Sequence, residues 1–143
     1  MTTPSTNDST AAAATLLRIT LGVMFLAHGL LKFVVFTLPG TAGFFESVGL
    51  PGWAAYVVAP AEVLAGIALV AGFHVRAVAL ATLPILIGAL YTHAGSGWLF
   101  TNKNGGWEYP AFLVIVAIAV ALLGEGRLAV SGSRARVARS ALA

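Results

Sequence analysis

Five ionisable side chains sit within or at the edges of long apolar stretches. His28 and Lys32 lie in the first stretch, Glu62 in the second, His93 at the end of the third and Glu108 at the start of the fourth. A carboxylate, an ammonium group and imidazoles are the groups that give, take and hold protons, so together they can grip a polar headgroup or relay a proton. Each needs a reason to be there, because a charge at bilayer depth costs roughly 2.5–3.5 kcal/mol on insertion scales.

Two arrangements satisfy that need. Lys32 and Glu62 can form one buried ion pair that orients two helices and fixes their registry, even where desolvation offsets the Coulombic gain. Alternatively, the five residues line a small cavity for a quinone-like or other polar-headed lipidic ligand. Lys32 or His28 then donates to a carbonyl oxygen while Glu62 accepts a proton. His28 and His93 as axial haem ligands are a poorer match, since two histidines without a pairing pattern carry little information. The chain has no cysteine. Within it, disulfides, thiol redox chemistry, cysteine-ligated zinc and iron–sulfur clusters are therefore excluded, and no metal set is assigned. Electron transfer would need a bound cofactor or a protein partner.

The elements that must position these groups follow from composition. Of 143 residues, 59% are hydrophobic and only 9% charged, with a mean hydropathy of +0.93. A soluble domain carries roughly 25% charged residues, and one of about 150 residues buries only about 70% of its chain surface. The expectation is one all-α domain, a polytopic membrane protein built as a four-helix transmembrane bundle. Its spans fall at about 12–37, 53–73, 75–91 and 108–123, inside a membrane domain of residues 11–124. Residues 1–10, Thr/Ser-rich and without apolar periodicity, read as a disordered tail rather than a signal peptide. Between the first two spans, Phe44, Phe45 and Val48 fall on one helical face and Glu46 and Ser47 on the other, which predicts a short interfacial helix.

In the first span Arg18, Gly22, Phe25, Gly29 and Lys32 recur at steps of four and three, drawing one stripe along a helix. The two glycines allow a neighbouring helix to approach closely. Pro60 frees the Tyr56 carbonyl beside Glu62, and Pro84 does the same in the third span, although both also fit a purely architectural role. Gly124-Glu125-Gly126 resembles a dinucleotide fingerprint, but it follows a membrane helix rather than a strand, so the physical context fails. It ends the fourth span, and Glu125 is placed to pair with Arg18 at the inner face.

The net charge is +3 and the pI about 9.8, yet nothing here points to nucleic acid. Arg127, Arg134, Arg136 and Arg139 lie in a basic tail of residues 125–143, where a cytoplasmic flank carries its cations. Counting Arg18 and Arg76 with them places both termini on the cytoplasmic side of a bacterial-type plasma membrane. Lys103 is then outside and Lys32 lies towards that side. With Thr37 as the outer end of the first span, Lys32 and His28 lie roughly 8 and 14 Å deep. Glu62 lies roughly 14 Å below Trp53. All five ionisable residues then converge in the outer half of the bundle.

The chain resembles the DoxX family of small four-helix membrane proteins. The matching residues are Arg18 with Leu21-Gly22, Gly29-Leu30-Leu31-Lys32, Phe45 and Gly49-Leu50-Pro51. They continue through Ala61-Glu62-Val63-Leu64-Ala65-Gly66 to Gly72, Arg76 and His93, then Gly106-Trp107-Glu108 and Leu123-Gly124-Glu125-Gly126-Arg127. They extend over about residues 16–131. Leu128-Ala129-Val130-Ser131 stands where the family usually closes on a Ser-Leu-Asp-like run.

The resemblance implies a membrane subunit of a quinone-linked oxidoreductase or oxidative-stress assembly. Related four-helix families include chaperone-like proteins, so a non-enzymatic membrane scaffold with a structural Lys32–Glu62 pair is an alternative. A small-solute or proton transporter acting as a homo-oligomer is another, because intramembrane ionisable groups also mark transport paths.

Overall fold

The computed structural model describes residues 6–131, with side chains from residue 7 onward. Among these residues every regular element is helical. They are α1 (Thr6–Val34), α2 (Leu38–Ser47), α3 (Ala55–Ala71), α4 (Val75–His93) and α5 (Glu108–Leu123), with 3-10 turns at Gly52–Ala54 and Ala94–Ser96. Arg134, Arg136 and Arg139 of the expected basic tail lie outside the described residues.

Three segments, Asn7–Val34, Gly52–Ala71 and Val75–Ser96, are long and apolar enough to cross a membrane. The fourth, α5, has 16 residues, about 24 Å at 1.5 Å per residue and so shorter than a typical hydrocarbon core. The surface is inverted relative to a soluble fold. Leu64 and Ile115 are each 66% exposed, while Arg18, Glu62 and Thr82 are buried. An outward apolar belt with polar groups inside suits a lipid solvent, where helices satisfy their own backbone.

The N-terminal expectation needs correction. α1 begins at Thr6, so residues 6–10 of the predicted disordered tail are helical. The alanine run at 11–14 favours helix, and Asp8 lies in the first turn, where a carboxylate complements the positive helix end. Asp8 also pairs with Arg127.

α1 packs most extensively on α3, and α4 on α5; the pairs join through α1–α5 and α3–α4 contacts, closing a ring. Leu21, Phe25, Leu69, Leu86, Leu113 and Val120 fill its centre. The α1–α3 contact is made by small residues. A Cβ added to Gly22 would lie 3.0 Å from the Gly66 carbonyl oxygen, and one on Gly29 would lie 3.0 Å from the Val63 nitrogen. Pro60 and Pro84 lie inside α3 and α4, which continue through them.

α2 is started by Thr37, whose hydroxyl accepts from Gly40 N at 3.2 Å, and by Pro39 in its first turn. It lies across one end of the ring against α3 and the Gly52–Ala54 turn. At the other end, Gly72 turns the chain from α3 to α4 in the left-handed region, at φ 74°. A Cβ there would also lie 2.7 Å from an Arg18 guanidinium nitrogen, so the site excludes side chains twice over.

Candidate functional site

At the α2 end the ring is not filled. A cavity of about 380 Å³ lies between α1, α3, α4 and α5, bordered by Phe44 and Phe45 of α2. Hydrocarbon and ring surface make up most of its wall. Its polar groups are His28, Lys32, Glu62, Thr92, His93 and Tyr109.

The close approach of Gly29 to α3 sets the geometry at its centre. A Cβ on Gly29 would come 3.1 Å from the Glu62 Cβ, so the Glu62 backbone lies hard against α1. Lys32, one turn along, crosses to it, and its Nζ donates to Glu62 Oε2 at 2.6 Å. The two side chains are 17% and 7% exposed, which makes this a buried pair whose charges lean on one another rather than on water. Lys32 Nζ also lies 3.4 Å from the His28 carbonyl oxygen.

His28 is held on two sides. Its Nδ1 lies 2.9 Å from Met24 O, one turn back on α1. Its ring stacks on Tyr109 with centroids 6.1 Å apart and 27° between planes. His93, at the end of α4, has its Nδ1 2.9 Å from Asn104 O. Lys32, Glu62, His28 and His93 thus share one cavity although they come from three helices. Among the described residues no cluster of three or more His, Asp or Glu could hold a metal ion.

Glu108 does not join them, which corrects its placement with the other four. It does not line the cavity; its Oε1 accepts from Phe100 N at 2.9 Å. It pins the loop before α5, where Trp98 and Trp107 pack edge to face at 4.5 Å. The cause is rotation around α5. Glu108 shares a stripe with Phe112 and Ile115, which are 61% and 66% exposed. Its neighbour Tyr109 lies one turn before buried Leu113 and reaches the cavity instead. Sequence reasoning missed Tyr109, and the spacing of Tyr109, Leu113 and Val116 was the signal that could have found it.

The opposite end is tied by Arg18, which has no exposed surface. Its guanidinium donates to Leu69 O at 2.6 Å, Val70 O at 2.8 Å and Arg127 O at 3.1 Å. Glu125 does not meet it directly, contrary to the sequence expectation. Glu125 Oε1 accepts from the Ser131 hydroxyl at 2.6 Å, while the two terminal guanidinium nitrogens of Arg18 go to backbone carbonyls. Thr15 Oγ1 accepts from Arg127 N at 2.6 Å and completes the tie.

Residues 13–95 match the DoxX family, from α1 to just past α4. A protein of Bacillus subtilis (strain 168), named "Putative oxidoreductase CatD", is 36% identical over 123 residues, 86% of this chain and 87% of that protein. No solved structure matches the chain.

Proposed function

The chain belongs to the DoxX family, and from that premise we propose that it is a quinone-binding membrane subunit of an oxidoreductase or oxidative-stress assembly. In this reading α1, α3, α4 and α5 are four spans of a bacterial-type plasma membrane, with both termini cytoplasmic and the α2 end outside. The excess of Lys and Arg at the other end supports that orientation. The name of the Bacillus subtilis relative supports the oxidoreductase link.

The observation that carries the reading is the cavity. It has the volume of a small-molecule pocket, a predominantly apolar wall, a stacked His28–Tyr109 pair and the Lys32–Glu62 ion pair at its side. A flat ring with polar oxygens and an apolar tail fits such a lining. A bound quinone would supply the two-electron chemistry. The chain's own residues hold the headgroup, exclude water and exchange protons at Lys32 Nζ and Glu62 Oε1, while electrons go to or come from a protein partner.

Titrating the purified chain in mild detergent with a decyl-substituted benzoquinone tests this. Saturable binding whose affinity changes in Glu62→Gln is expected; no binding, or the same affinity in both proteins, overturns it. The closed 2.6 Å contact between Lys32 and Glu62 favours one other reading, a scaffold whose pair is purely structural. Under it, the double variant Lys32→Met with Glu62→Leu stays folded and still captures the same partner from solubilised membranes.

A further inference from the structure

We infer that the cavity selects a headgroup that donates hydrogen bonds, a hydroquinone or comparable phenol, over its carbonyl-bearing oxidised form. The inference rests on the proposed lipidic-ligand site and adds to it the redox form that the site prefers.

Two backbone carbonyls decide the matter. Met24 O lies 2.9 Å from Nδ1 of His28, and Asn104 O lies 2.9 Å from Nδ1 of His93. A carbonyl only accepts, so in each neutral ring the proton sits on Nδ1 and Nε2 keeps its lone pair. Neither Nε2 has a partner among the described residues. Glu62 adds a third acceptor: Lys32 occupies Oε2, and Oε1 has no partner.

Against these three acceptors stands little donor capacity. Lys32 directs one proton to Glu62 at 2.6 Å and a second towards His28 O at 3.4 Å, leaving one. The Tyr109 hydroxyl can act either way. An oxidised quinone brings acceptors only and finds chiefly acceptors waiting. Its reduced form brings two hydroxyl donors, enough for two of the three. His28 is therefore an acceptor for the ligand, the reverse of the donor role that its position in the sequence suggested.

Decyl-benzoquinol and decyl-benzoquinone, titrated anaerobically into the full chain in detergent, read the preference directly. The quinol is expected to bind about threefold to tenfold tighter, the range that about one net hydrogen bond supplies. His28→Phe keeps a ring against Tyr109 and removes Nε2. It should weaken the quinol and spare the quinone, bringing the ratio towards one. His93→Phe, at the cavity rim, reads the same effect if the first variant does not fold. Equal affinities, tighter quinone binding, or a ratio unmoved by the folded variants overturns the inference. If neither form binds, the ligand-site reading itself fails.

Discussion

Gly22 of α1 and Gly66 of α3 meet backbone to backbone. A Cβ on Gly66 would stand 2.8 Å from the Gly22 carbonyl oxygen and 2.7 Å from Leu26 Cγ. Gly29 repeats the approach seven residues along, against Val63. Two such contacts on one face leave the helices a single separation and a single register, and Lys32 meets Glu62 as a result.

Gly66→Leu should therefore lower the melting temperature in detergent, since overpacking a close contact costs about 1–3 kcal/mol. A Cβ on Gly88 meets nothing within 4 Å, so Gly88→Ala, which also favours the helix interior, should melt no lower than the parent. Equal melting of Gly66→Leu and the parent would show that the α1–α3 contact is looser than drawn.

Lys32→Met alone leaves the Glu62 carboxylate buried without its partner. Breaking such a pair costs about 3–5 kcal/mol, and denaturant unfolding in mixed micelles should register most of it. Adding Glu62→Leu removes the orphaned charge and should restore most of the loss. A double variant no more stable than Lys32→Met would count against the pair being desolvated.

Glu108 holds the loop and not the cavity. Glu108→Ala should speed amide exchange in residues 97–107, since one hydrogen bond of about 0.5–1.5 kcal/mol is lost there. Binding of a quinone analogue should stay unchanged. A clear loss of affinity would return Glu108 to the site.

Much of this arrangement was legible in the sequence, for specific reasons. The four-and-three spacing through Arg18, Gly22, Phe25 and Gly29 predicts a packed stripe because a helix permits no other geometry for it. Equal depths of His28 and Glu62 follow from a fixed rise per residue along spans of opposite direction. Rotation about a helix start is harder to read. Glu108 and Tyr109 are adjacent in sequence, yet only Tyr109 borders the cavity, because Pro110 and Leu113 set which face of α5 is buried. The tie of Arg18 to Arg127 O spans 109 residues, and carbonyl partners leave no trace in side-chain types.

Arg18→Leu should destabilise the bundle by about 1–3 kcal/mol, the cost of stranding buried carbonyls. Arg18→Lys should recover only part of that, because one ammonium cannot fork to Leu69, Val70 and Arg127 as a guanidinium does. Thermal unfolding of both variants measures it, and full recovery by lysine would mean that charge, not the fork, matters.

The same arginine constrains how the protein is made. A nascent chain that has released only α1 into the bilayer carries a guanidinium with none of its three carbonyls. Two of them arrive with the end of α3, and the third emerges from the ribosome only with Arg127. The helix that carries Arg18 is thus secured in two stages, first by the end of α3 and then by the segment that follows α5.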